Sequence, residues 1–147
     1  MSAADYNLTA DFRASEFACR HCGKSGIKLE LVERLQELRD AIGRPITITS
    51  GYRCAEHPIE KAKGPGPRRH VEGIAADIYV RGMPLFELYS TVVKRFPAFH
   101  GIGVNPSQNF IHLDIRPIPA GKLAVVWAYD RSGAQIRWDG RWVGLPK

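Results

Sequence analysis

His70 and Asp77 are separated by a glycine and two alanines in the stretch His70-Val71-Glu72-Gly73-Ile74-Ala75-Ala76-Asp77. A second imidazole arrives at His112, within Asn109-Phe110-Ile111-His112-Leu113-Asp114. Two imidazoles and one carboxylate form the protein ligand count of a catalytic zinc, whose fourth position stays open; a structural zinc uses four protein ligands. Asp114 lies two residues beyond His112, where a carboxylate can orient a ligand imidazole through its other ring nitrogen.

A second set of soft donors lies elsewhere. Cys19-x-x-Cys22 and Cys54-x-x-His57 offer the donor types and spacing of a closed Cys₃His zinc, with His21 as a competing ligand. Three unligated thiols, or one disulfide and a spare thiol, remain the alternatives. The odd cysteine count argues against a fully paired disulfide framework and fits a reducing compartment at synthesis.

Both sets need elements to hold them. Leu31, Leu35, Leu38 and Ile42, with Val32 beside them, form one stripe and predict a helix over Leu29 to Ile42, ended by Gly43 and Pro45. Leu85, Leu88, Tyr89, Val92 and Phe96 predict a second helix from Pro84 to Phe96, with Pro84 suited to its first turn. Ile46–Thr49, Ile74–Val80, Gly101–Val104 and Phe110–Ile115 read as strands. Side chains alternate on a strand, so Phe110, His112 and Asp114 share a face. If that strand pairs with Ile74–Val80, Asp77 meets His112, and His70 reaches in from the preceding loop. Gly73 would let that loop turn tightly, and Ala75 would leave room beside the metal.

The rest of the chain is less patterned. Residues 1–12 read as a polar arm, and Ser15–Ala18 as the start of a short helical turn. Residues 58–69 contain Pro58, Gly64, Pro65, Gly66 and Pro67 and read mainly as loop. Ala124–Tyr129 and Ala134–Trp138 suggest a carboxy-terminal hairpin around Asp130-Arg131-Ser132-Gly133 within the less regular stretch 118–147, and Asp139-Gly140 is a turn leading into Arg141-Trp142-Val143. Tyr52, Trp127 and Trp138 read as packing aromatics before groove residues.

At 147 residues, 44% apolar and 24% charged, the chain fits one soluble globular domain. The expected fold class is α+β: a small, mainly antiparallel sheet with helices on one face and the zinc on the other. No apolar run reaches the length of a membrane span, and the first residues show no secretory signal pattern. The net charge of +6 favours an anionic partner, but its basic residues are dispersed, so no nucleic-acid partner is expected. A zinc-knuckle nucleic-acid binder built on the cysteines is the rival reading from that side.

Together, Ser50-Gly51-Tyr52-Arg53, the His70–Asp77 stretch, Gly101-Ile102-Gly103 and His112-Leu113-Asp114 resemble the zinc D-Ala-D-Ala carboxypeptidase and L-Ala-D-Glu endopeptidase superfamily, in the order its motifs follow. The resemblance covers residues 10–116 and is nearest to small phage-type members. It implies zinc held by His70, Asp77 and His112, with Arg53 and Asp114 as catalytic-site residues. Arg53 would bind a peptide carboxylate or a developing oxyanion with its planar fork of donors. The implied reaction is zinc-assisted hydrolysis of a peptide bond in the peptidoglycan stem, by an endolysin-like monomer made in the bacterial cytoplasm and reaching the wall during phage lysis.

Two positions depart from the superfamily pattern. Arg68 stands where a serine is usual. The customary general-base positions hold Asn109 and Ser107, neither of which takes a proton from water at neutral pH. His100, Asp114, or zinc chemistry with little help are the candidates left. A zinc domain that has lost catalysis and only binds wall peptide or a protein partner is therefore the alternative function.

Overall fold

A computed structural model describes residues 5–142. A single 3-10 turn at Ala14–Phe17 precedes helix α1 (Leu29–Ile42) and strand β1 (Thr47–Ser50). Then follow α2 (Pro58–Lys61), β2 (Ala75–Tyr79), α3 (Leu85–Arg95), β3 (Gly101–Asn105) and β4 (Phe110–Asp114). Strands β5 (Val125–Tyr129) and β6 (Gln135–Arg137) complete one sheet of order β1-β2-β4-β3-β5-β6. All pairings are antiparallel except β3 with β5, which is parallel. No helix among the described residues is long and apolar enough to cross a membrane.

The expected α+β layering is present. Leu31, Val32, Leu35 and Leu38 of α1, and Leu85, Leu88, Tyr89 and Val92 of α3, form one cluster with Ile48, Ala76, Ile78, Ile102, Val104, Ile111 and Leu113 of the sheet. These sheet residues occupy alternate positions, so the intervening residues Asp77, Gly101, Gly103, His112 and Asp114 face the other way. Two carboxylates, an imidazole and two glycines therefore lie opposite the helices.

Both helical stripes lie where the periodicity places them. Helix α1 stops because Gly43 adopts φ +67° and returns its N–H to Arg39, the left-handed ending that glycine favours. Pro84 caps α3 from just outside rather than occupying its first turn, a difference of one residue.

Three expectations change. The amino-terminal arm is not free over residues 5–12. Asp5 accepts hydrogen bonds from Ser15 and Arg13, Gln36 binds Thr9 and Asp11, and Phe12 is buried in the core. Within the expected loop 58–69, Pro58–Lys61 forms one helical turn, begun by His57 Nδ1 accepting from Ile59 N at 3.1 Å. The carboxy-terminal hairpin forms as β5 and β6, but β5 also joins β3 in parallel and extends the sheet. Residues 1–4, and Val143 beyond the turn at Asp139-Gly140, lie outside the described residues.

Candidate active site

Antiparallel register builds the centre. Asp77 of β2 pairs directly with His112 of β4, His112 with Gly103 of β3, and Gly103 with Trp127 of β5. Those four positions make one row across the sheet face away from the helices. One step along, Ala75, Asp114, Gly101 and Val125 make the next row. The two glycines have a steric reason. A Cβ on Gly101 would collide with the Asp114 carboxylate, and one on Gly103 would lie 2.5 Å from Trp127 Nε1. Bare backbone at β3 thus lets an acid and an indole lie over the strand.

His70 enters from the loop before β2. That loop turns at Gly73, where φ is +77° and a Cβ would strike the Gly26 carbonyl. The backbone of His70 receives the Arg53 N–H at 3.2 Å, and His70 Nδ1 lies 2.7 Å from the Gly51 carbonyl. A carbonyl only accepts, so Nδ1 carries the proton and Nε2 keeps its lone pair. Nε2 faces Asp77 Oδ1 at 3.3 Å. His112 is turned the other way round. Its Nε2 donates to Asp114 Oδ2 at 2.7 Å, and its Nδ1 faces Asp77 Oδ1 at 3.1 Å.

His70 Nε2, His112 Nδ1 and Asp77 oxygen thus converge, with ligand atoms all within 4.8 Å of one another. Donors around a tetrahedral zinc at ordinary bond lengths stand roughly 3.4 Å apart. The donor set fits that ion. Lone pairs on two imidazoles aimed at one carboxylate also need a positive charge between them, either a proton or a metal cation. All three residues are buried.

The surroundings fix each ligand. Asp114 is fully buried and accepts from Arg116 Nε at 2.9 Å and Arg116 Nη2 at 2.7 Å, besides His112. Arg116 in turn lies over the Trp127 ring, whose own neighbour is the His112 ring at 5.1 Å. Arg53 spans three partners: Ser50 Oγ at 3.0 Å, Glu60 Oε2 at 3.0 Å and Asp77 Oδ2 at 3.2 Å. Hence Arg53 reaches the converging group through Asp77, and Asp114 reaches it through His112. His100, by contrast, holds the Arg116 carbonyl through Nδ1 at 2.6 Å.

Electrostatics follow from this wiring. Burial alone would raise the Asp77 carboxyl, but His70 and His112 outweigh it and hold it far below the carboxylate range. Burial likewise opposes ionisation of Asp114, and Arg116 with His112 overcomes it. Burial pushes His70 down, so it stays neutral. Burial also opposes charge on His112, yet Asp114 and Asp77 prevail and raise its pKa.

The raised His112 pKa in the metal-free protein has a measurable consequence. A divalent cation must displace the proton that His112 carries below that pKa, so zinc binding in that range should release a proton. Affinity should climb with pH and level off above the raised His112 pKa. In the metal-free protein the same proton contributes stability that is full below the unfolded imidazole pKa and is lost as pH rises through the folded value. Calorimetry in buffers of different ionisation enthalpy counts the proton; no release and a pH-independent affinity would mean His112 is already neutral.

Beside Asp77 and Arg53 opens a cleft of about 520 Å³. Asn105, Gln108 and Asn109 of the β3–β4 turn line it, with Phe110 and Tyr129. Asn109 sits there with φ +54°, and the Asn105 carboxamide holds the turn by accepting from Ser107 Oγ and Gln108 N, both at 3.0 Å. Burial pushes the Tyr129 phenol up to about 12, so it remains a donor at neutral pH.

Glu60, Arg116 and Tyr129 are not evident from sequence spacing as site residues; Trp127, read as a packing aromatic, packs against the His112 ring. Arg116 did carry a signal: it continues the alternation His112, Asp114, Arg116. Glu60 carried none, lying in a proline- and glycine-rich stretch. Trp127 and Tyr129 depend on the parallel β3–β5 pairing, which no local pattern announces.

Comparison with known proteins fits this geometry. Curated relatives include the peptidoglycan L,D-endopeptidase MepK of Escherichia coli strain K12, 28% identical over 93 residues, covering 59% of this chain and 50% of the relative. The MepK proteins of Escherichia coli O6:H1 and O157:H7 match with the same identity and coverage. The chain therefore spans about half the length of these relatives. The model of the family described as Peptidase M15 matches residues 10–114, a span that carries His70, Asp77 and His112, and the chain belongs to that family.

Proposed function

We propose that this protein is a zinc-dependent peptidase that hydrolyses a peptide bond in the stem peptide of peptidoglycan. The observation that carries the reading is the convergence of His70 Nε2, His112 Nδ1 and Asp77 Oδ1 beside an open cleft. His70, Asp77 and His112 would hold the ion, which when bound supplies Lewis acidity to polarise a carbonyl and acidify water. The relatives' L,D-endopeptidase name favours cleavage of an L,D bond over D-Ala-D-Ala carboxypeptidase action.

Arg53 keeps Asp77 in place and lines the cleft, with guanidinium N–H donors left over for a substrate oxygen. Asp114 serves as a positioning residue: its oxygens are engaged by His112 and Arg116, and it fixes which nitrogen of His112 faces the centre. The Tyr129 hydroxyl, protonated at neutral pH, is a second donor to bound peptide. The net charge of +6 suits an anionic wall, and an endolysin-like role in lysis is the proposal that charge supports.

A catalytically silent peptide-binding domain remains the second reading, for one specific reason. Among the described residues lining the cleft, Asp77 is the sole carboxylate and no imidazole is present, so no lining side chain is a free base. Digestion of purified muropeptides, with mass analysis of products, separates the two. We expect cleavage with zinc, none after chelation, and recovery on adding zinc back. Zinc-loaded protein that binds muropeptide and releases no fragment would decide for the silent domain; full cleavage after complete metal removal would rule out the zinc mechanism.

A further inference from the structure

We propose that Cys19, Cys22 and Cys54 hold a second, structural zinc ion, closed by the imidazole of His21. Their sulfurs all lie within 4.8 Å of one another, and all three thiols are free. The segment that carries the first two is shaped as a knuckle. Cys19 N donates to the Lys24 carbonyl and Gly23 N to the Cys19 carbonyl, both at 2.8 Å, with Gly23 at φ +78°. That turn presents Cys19 and Cys22 to the same side. Cys54 arrives from the turn after β1, and its backbone N–H points at Cys19 Sγ at 3.3 Å. An N–H aimed at sulfur favours the thiolate that a metal requires.

Sulfurs around a tetrahedral zinc stand roughly 3.8 Å apart, so the three need only close slightly on an ion. A disulfide would use two of them and strand the third, whereas a metal uses all. The fourth ligand is chosen by what each imidazole already does. His21 Nδ1 lies 3.4 Å from Cys54 Sγ, just outside the cluster of three sulfurs, and would swing in as the fourth ligand. His57 Nδ1 is committed to capping α2 through Ile59 N. Four protein ligands leave no open position, which makes the site structural rather than catalytic.

The position explains its use. Tyr52 N donates to the Phe17 carbonyl at 2.9 Å, and Gly51 packs so closely on Phe17 that a Cβ there would lie 2.7 Å from the Phe17 Cα. The segment leading into the knuckle therefore packs directly on the Ser50–Cys54 turn. That turn supplies the Gly51 carbonyl that orients His70 and the Arg53 side chain that holds Asp77. A metal at the cysteines would stiffen both supports of the first centre.

Cobalt substitution tests this without relying on activity, because the His70, Asp77 and His112 set contains no sulfur. The fully loaded wild type should bind two equivalents and show a thiolate-to-cobalt charge-transfer band. His70→Ala should keep the band. Cys22→Ser, a change at an exposed position, should lose the band and one equivalent while staying folded by circular dichroism. His21→Ala should weaken the band and His57→Ala should not; the reverse would overturn the choice of His21. Absence of the band in the loaded wild type, or three thiols reacting with a thiol reagent equally fast with and without metal, would overturn the site itself.

Discussion

His70→Ala is expected to abolish muropeptide hydrolysis and still yield a folded protein. His70 is kept neutral by burial, and when it is removed the buried Asp77 carboxylate still has His112 and Arg53 as partners. The structural loss is the hydrogen bond to the Gly51 carbonyl, worth about 1–3 kcal/mol when the acceptor is left unpaired. The chemical loss is larger. On the proposed ligand set two residues would not hold the ion, and the charge stabilisation it would supply is several kcal/mol, which corresponds to a rate drop on the order of 10³-fold or more. His112→Ala should match that activity loss but cost more stability in the metal-free state. It removes the imidazole between Asp77 and the fully buried Asp114, and because Arg53 and Arg116 still pair with those acids the cost should lie near the lower end of the about 3–5 kcal/mol for a broken buried pair. Product analysis at saturating zinc, with urea unfolding of both variants in chelator, checks the pair of expectations. Activity of His70→Ala within tenfold of wild type would remove His70 from the ligand set.

The contrast between these two histidines shows what the sequence could and could not disclose. That Asp77 and His112 would meet was legible, because each lies on a predicted strand and antiparallel neighbours bring side chains on one face together. The two helical stripes were legible for the same kind of reason, a period matched to burial. Which nitrogen of each ring faces Asp77 was not, since it is set by the Gly51 carbonyl in one case and the Asp114 carboxylate in the other. Gly101 and Gly103 could be quoted as a motif, but their cause appears only when Trp127 and Asp114 lie over β3. Trp127 belongs to a strand whose partner is not its chain neighbour, and its parallel register leaves no local trace. The amino-terminal residues misled by polarity: Asp5 and Thr9 look solvated, yet each is bonded to a residue further along the chain, and Phe12 anchors them.

Arg53 joins the two levels, because it is both a motif residue and the counter-ion of a buried acid that the motif does not mention. Glu60 is fully buried, and its partners are Arg53 Nη1 at 3.0 Å and Lys63 Nζ at 3.0 Å. Lys63 is 40% exposed in its side chain, so water weakens its half of the arrangement. In Arg53→Ala, Glu60 keeps only that weaker partner and Asp77 loses its hold on Oδ2. We expect destabilisation of about 3–5 kcal/mol, nearer the lower figure because Lys63 remains. Arg53→Lys should not restore it, since one ammonium cannot reach Ser50, Glu60 and Asp77 with the geometry of a planar fork. Adding Glu60→Gln to Arg53→Ala should recover part of the loss, and the double-mutant cycle measures the coupling. The pH dependence has a definite sign. Burial raises the Glu60 carboxyl, but Arg53 and Lys63 outweigh it and lower its pKa, so the pair contributes stability above the unfolded carboxyl pKa that is lost as pH falls through the folded value. Without Arg53 the carboxyl should protonate at higher pH, and acid unfolding of metal-free Arg53→Ala should begin at higher pH than in wild type. Denaturant titrations in chelator across that range isolate the effect from zinc linkage. An Arg53→Ala protein within about 1 kcal/mol of wild type at neutral pH, with an unchanged acid transition, would mean that solvent already supports Glu60 and that the guanidinium belongs to the substrate alone.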